Sequence, residues 1–212
     1  MLATKSVGEF LDEVASASPA PGGGSVAALA GSLGAALTAM VCRLTVGKKK
    51  YAEVEEEMKR ILEQAERLRA TFTGLIEKDS AAFGKVMEAF SLPKDTQPQK
   101  ALRSAAITEA TKEASLVPLE VMKHCIDALA LAQQVASQGN TTAASDAGVS
   151  ALMLHAACAS AALNVRINLN SLDDPEFVGW KTDEVESIQN TSAMMLEEIQ
   201  SVLEAKLVRS SG

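Results

Sequence analysis

The sequence predicts an all-α fold, a bundle of about six helices, several of them long. Three observations carry this expectation. No stretch alternates apolar and polar residues with the period of two that a half-buried strand requires. Alanine and leucine are abundant and aromatic residues are only 3% of the chain, a composition that favours helix over sheet. Apolar residues instead recur at helical spacing over long runs, punctuated by caps, glycines and prolines. The 212 residues fit one domain, residues 1–212, large enough to bury a core.

Ser6-Val-Gly-Glu9 is a capping box and opens a short helix from about Val7 to Ser16, with Phe10, Leu11 and Val14 on its apolar face. Pro19-Ala-Pro-Gly-Gly-Gly-Ser25 stops it. Ser25 reads as the N-cap of a second helix, Val26 to Val46, which is apolar or small on every side and so belongs at the centre. Gly31, Gly34 and Ala35 give this helix a flat face for close packing, and Gly47 supplies a C-terminal stop just before Lys48-Lys-Lys50. A third helix, about Ala52 to Phe90, would span roughly 55–60 Å. Its stripe is heptad-like: Val54, Met58, Ile61, Ala65, Leu68, Phe72, Leu75, Asp79, Ala82, Val86. One member, Asp79, is an acid where the repeat demands an apolar residue.

Thr96 and Gln99 form a second capping box, with Pro98 in the first turn of a fourth helix that runs to about Ser137. Pro118 should kink or interrupt it, giving a bend from Ser115 to Glu120. Gln138-Gly-Asn140 starts a fifth helix, about Thr141 to Asn168, and Asp174-Pro175 opens a last helical region to about Val208, in one piece or two. The final Arg-Ser-Ser-Gly should fray.

Several function classes are disfavoured. A net charge of −7 argues against nonspecific nucleic-acid binding. Glu9, Asp12 and Glu13 fall where a secretion signal would need an apolar core. Pro19–Cys42 and Ala147–Val165 approach membrane length, but Ala, Gly and Ser dominate them, so both read as helices buried among helices. Cys42, Cys125 and Cys158 are odd in number and far apart, which fits reduced buried thiols in a cytoplasmic protein. His124 and His155 stand alone on helices without metal-ligand spacing, so no metal is inferred.

Two features suggest a site. The triple-glycine turn feeding a helix presents free N–H groups and a positive dipole end, suited to an anion or a polar ligand edge, though a plain tight turn would look the same. Asp79 on an apolar stripe is either a desolvated acid usable near neutral pH, or a structural group paired with an Arg or facing a wet seam. Ser145 and Asp146, behind Asn140, either stabilise a helix start or face a ligand as donor and acceptor. Arg166, between Val165 and Ile167, should seek a carboxylate of the protein or of a ligand.

The glycine turn, Leu44-Thr-Val-Gly-Lys-Lys-Lys-Tyr51 and Gly139-Asn-Thr-Thr-Ala-Ala-Ser-Asp146 together resemble the cyclodeaminase/cyclohydrolase family. The resemblance extends to about Leu169. It implies a dimer of helical subunits, tetrahydrofolate derivatives (polyglutamylated or not) as substrates, and no cofactor. The family's catalytic aspartate maps through Leu75-Ile-Glu-Lys-Asp-Ser-Ala-Ala-Phe83 onto Asp79. Gly22, Gly23, Gly24, Ser25, Asn140, Ser145 and Asp146 would then hold the pterin or the tail, and Lys48 would favour anionic groups. Where the bifunctional relatives carry Arg-Arg, this chain has Lys48-Lys49, a point charge in place of a forked donor. No formiminotransferase domain is expected beside it, so a formimino substrate would have to come from a separate protein. A noncatalytic folate-binding or scaffold dimer built on the same bundle is the competing expectation.

Overall fold

The computed structural model describes residues 1–208. Six α-helices form the bundle: α1 Val7–Val14, α2 Gly23–Thr45, α3 Glu55–Ser91, α4 Gln97–Gln138, α5 Ala144–Leu169 and α6 Pro175–Val208. Short 3-10 turns at Leu2–Thr4, Lys49–Val54 and Thr141–Ala143 precede α1, α3 and α5. Among the described residues there is no strand. The predicted fraying of Arg209–Gly212 lies outside them.

Both capping boxes form. Ser6 accepts from the Glu9 N–H and Thr96 from the Gln99 N–H, while the Glu9 and Gln99 side chains return to the cap backbones. Gly47 ends α2 with φ +78°, a left-handed conformation that costs glycine little.

α2 is the axis of the bundle and packs on α3, α4 and α5. Its neighbours α3 and α5 run antiparallel to it, as the pairings Gly24–Asp79 and Gly31–Phe72, and Gly23–Asn164 and Gly34–Leu154, show. The small-residue face does what its composition predicts. A methyl group on Gly31 would lie 2.7 Å from two ring carbons of Phe72, which is fully buried. A methyl on Gly34 would lie 2.6 Å from Leu154 Cγ. Crossing polar contacts fix the rotation of α2: Thr38 and Ser150 share a 2.8 Å hydrogen bond, and Ser150 also donates to the Gly34 carbonyl. Gly31→Ala should lower stability by about 1–3 kcal/mol, through overpacking against Phe72. A thermal melt no lower than that of the parent would contradict this packing.

Two local expectations need correction. Ser25 is not the N-cap of α2. Gly22 occupies that position without a side-chain bond, and the helix already begins at Gly23. Ser25 faces α3 instead, where its hydroxyl meets the Ile76 carbonyl and the Asp79 carboxylate.

Pro118 does not interrupt α4, which runs continuously from Gln97 to Gln138. Proline lacks the N–H that would bond the carbonyl four residues back, that of Ala114. Asn168 on α5 donates its side-chain N–H to this carbonyl at 3.1 Å, so the freed acceptor is satisfied from a neighbouring helix. The last helical region forms one helix, α6.

α2 and the segment Thr141–Leu169 are long and apolar enough to cross a membrane by length and composition, with mean hydropathies of 1.8 and 1.5. In the bundle the two pack against each other and against α4. The cysteine thiols are buried and free. Burial pushes Cys42 up to about 12 and Cys158 up to about 11, which makes both poor nucleophiles.

Candidate active site

The first turn of α2 lies directly against Asp79 on α3. The glycines there answer a spatial demand: a Cβ on Gly24 would sit 2.1 Å from Asp79 Oδ1 and 2.6 Å from its Cγ. Only a bare backbone lets the carboxyl come so near the helix start. Ser25, fully buried, donates its hydroxyl to Asp79 Oδ2 at 2.8 Å, and its backbone N–H adds a second bond.

The acid is therefore held in two opposed fields. Burial favours the neutral carboxyl, while the Ser25 donors and the positive end of α2 favour the ion. Burial prevails, and the Asp79 pKa lies above the ordinary carboxylate value. Asp79 takes part in none of the ion pairs among the described residues. Of the two structural roles open to it, a pair with an arginine is not what is found among the described residues.

Asp79 opens onto a cavity of about 290 Å³, at the small end of the range for ligand sites. The glycine turn from Pro19 to Gly24 closes one side of it. Phe83 and Val86, one and two turns beyond Asp79, supply an apolar wall, and Asn164 and Asn168 of α5 supply amides opposite. The cavity is thus largely apolar, with one acid and two amides as its polar side chains. A proton carrier with a raised pKa in such a setting suits general acid–base chemistry on a flat heterocycle.

Gly22, Gly23 and Gly24 line this cavity with Asp79, and Ser25 supports the acid from behind. Lys48, Asn140, Ser145 and Asp146 are not brought there within one chain. They cluster at the opposite end of α2, about 33 Å away by helical rise. Lys48 and Ser145 are exposed and Asp146 is half-buried.

Asn140 is buried and heavily used in the fold. Its amide donates to the Leu44 carbonyl, its Oδ1 accepts from Thr142, and its backbone N–H donates to Thr45 Oγ1. Arg166 finds an uncharged partner, the Gln189 Oε1 at 2.7 Å, rather than a carboxylate. His155 shares a hydrogen bond with Ser192, and His124 stands edge-on to Phe72. Among the described residues no group of three or more His, Cys, Asp or Glu is placed to hold a metal ion.

Sequence reasoning missed Phe83, Asn164 and Asn168 as wall residues. A signal existed for the asparagines. They are four apart on an otherwise apolar helix, so they share a face, and a paired polar face inside a core needs partners or a ligand.

Fold and cavity together define a class: an all-helical protein with a desolvated acid at a glycine-built helix start. The chain belongs to the formiminotransferase-cyclodeaminase family, whose model matches residues 6–187. It is 45% identical over 207 residues to a methenyltetrahydrofolate cyclohydrolase of Methylorubrum extorquens, covering 98% of this chain and 100% of that one. It is 33% identical over 195 residues to the formimidoyltransferase-cyclodeaminase of Sus scrofa, covering 90% of this chain but 36% of that longer one. The crystal structure of a formiminotetrahydrofolate cyclodeaminase from Thermotoga maritima superimposes with a TM-score of 0.87 at 33% identity, covering 98% of this chain and 100% of that one.

Proposed function

We propose that the chain is a folate one-carbon enzyme, a methenyltetrahydrofolate cyclohydrolase, with Asp79 as its proton carrier. The observation that carries this reading is the desolvated carboxyl lodged against Gly24 at the mouth of a cavity sized for a bicyclic ring. The end-to-end match to the Methylorubrum extorquens cyclohydrolase supports the choice of reaction.

In the reaction, water attacks the carbon between N5 and N10 of the methenyl substrate. Ionised Asp79 takes one proton from that water as the carbon–oxygen bond forms. The acid then returns the proton to N5 as the carbon–N5 bond breaks. The second water proton leaves to the medium and the 10-formyl product remains. The chemistry asks only for a positioned acid–base group and a ring held edge-on, without metal or redox cofactor. Gly22, Gly23 and the amides of Asn164 and Asn168 would border the pterin, while Phe83 and Val86 exclude water from its face.

Cyclodeamination of 5-formiminotetrahydrofolate is the second reading, favoured by the match to the Thermotoga maritima structure. There N10 would attack the formimino carbon and close the ring, while the departing nitrogen would take the N10 proton and one more from protonated Asp79 and leave as ammonia. Both reactions pass through a tetrahedral carbon at the same place. Incubation with 5,10-methenyltetrahydrofolate should accelerate loss of its chromophore well beyond the spontaneous rate. Ammonia release from the formimino substrate with no effect on the methenyl compound would move the assignment to the deaminase. Activity on neither would leave a noncatalytic folate-binding or scaffold bundle.

The working unit of this reading is a cytoplasmic homodimer, not a membrane protein. α2 and α5 together present an exposed apolar face that includes Val26, Leu33, Val149, Leu152, Leu163 and Ile167. A second copy related by a twofold axis across this face would cover it. With that axis perpendicular to α2, such pairing would also set the Lys48–Asp146 end of one copy beside the glycine end of the other.

A further inference from the structure

We propose that a basic basin formed by Lys94, Lys100 and Arg103 binds the glutamate carboxylates of a folate tail. This rests on the folate reading above and assigns the tail to residues other than Lys48. The basin is a second hollow of about 440 Å³, at the end of the bundle where α3 stops, α4 starts and α5 turns into α6. Thr108 and Ser171 add hydroxyls to its lining, and Asp173 is its one carboxylate. Three cations against one acid make it a locally positive hollow on a chain of net charge −7.

Its position follows from the helices that build the Asp79 cavity. Thr108 precedes the cavity residue Ala114 on α4 by about 9 Å of helical rise. Ser171 follows Asn168 directly past the end of α5. On α3, Asp79, Phe83 and Val86 lead toward Phe90, whose carbonyl is bonded by Arg103. The way from the reacting acid to the cations therefore runs along one side of three helices. By helical rise that way is about 16 Å from Asp79 to Phe90, longer than the benzoyl ring and amide alone, so the second and third glutamates of a tail are the ones that would reach the cations.

The cations are available in different degrees. Arg103 is pre-oriented: its Nε and Nη2 donate to the Phe90 carbonyl at 3.2 and 3.1 Å, and its guanidinium lies 5.5 Å from the Phe90 ring centroid. Lys94 and Lys100 are exposed and join no ion pair with a described residue, whereas Lys59, Lys78, Lys85, Lys112, Lys123 and Lys181 all do. Two free ammonium groups beside a fixed guanidinium suit a flexible ligand bearing several carboxylates.

The test compares folic acid with its triglutamate by calorimetry, on the full chain and on Lys94→Ala/Lys100→Ala, with Lys48→Ala in parallel. The parent should bind the triglutamate about tenfold more tightly at low salt, as two exposed charge contacts allow. The double variant should lose that preference and keep most of its affinity for the monoglutamate. High salt should erase the preference in the parent. The proposal is overturned if the parent shows no preference, if the double variant keeps it, or if Lys48→Ala alone removes it. Hydrolysis of the methenyl substrate is followed separately. Failure of turnover with the binding preference intact would overturn the reaction assignment and leave the basin standing; failure to bind folate at all would overturn both.

Discussion

Asp79→Asn should lower kcat for methenyl hydrolysis by about 10²–10⁴-fold, the range expected for loss of a positioned general acid–base group. The amide is nearly the same size and can still accept from the Ser25 hydroxyl, so the cavity keeps its shape. What disappears is the ability to carry a proton. Stability should move the other way. The folded protein raises the Asp79 pKa, so its contribution to stability is fully present below the unfolded-state carboxylate pKa. That contribution is lost as pH rises through the folded-state value. At neutral pH the parent therefore carries a desolvated ion that the asparagine variant does not. The variant should melt at a higher temperature near pH 7, and the advantage should vanish below about pH 4. Loss of activity together with loss of stability at pH 7 would instead mean that Asp79 holds the fold.

Gly24→Ala should be nearly as damaging to turnover, by a different route. The new methyl would sit 2.1 Å from Asp79 Oδ1, well inside any allowed contact. Either the carboxyl rotates away from Ser25 or the first turn of α2 lifts off α3. A displacement of about 1 Å at a reacting group costs about 10²-fold in rate. Alanine is the better helix former by about 1 kcal/mol, which offsets part of the overpacking. The melting temperature should thus change far less than the rate. Circular dichroism and the hydrolysis assay on one preparation would check this. A Gly24→Ala enzyme with parental kcat would show that the closeness of backbone and acid is incidental.

Much of this site was legible from local chemistry. Asp79 stood out because one acid broke an apolar stripe, and Gly22-Gly-Gly24 because three consecutive glycines before an apolar helix indicate a backbone approached by something. That the approaching group is Asp79 itself was not legible. It depends on how α2 crosses α3, and nothing in either segment alone encodes that crossing.

The same limit explains Ser25, whose hydroxyl suits an N-cap by type but is drawn across to α3. Pro118 is a related case: of the kink or interruption expected there, the interruption does not occur. The expected break is avoided by Asn168, fifty residues away on another helix, whose amide takes over the orphaned carbonyl. Lys48, Asn140, Ser145 and Asp146 were grouped with the glycine turn by resemblance alone. Helical rise separates them from it within a subunit, and Asn140 is committed to tying the end of α2 to the start of α5.

The pH dependence of kcat/KM for methenyl hydrolysis, corrected for the spontaneous reaction, bears most directly on Asp79 as the proton carrier. Water attack needs the ionised carboxylate. The rate should rise with pH through one ionisation lying above the ordinary carboxylate value of 3.8. That limb should be absent from the residual activity of Asp79→Asn. A parental limb that survives unchanged in Asp79→Asn would assign the proton to another group and remove Asp79 from the chemistry.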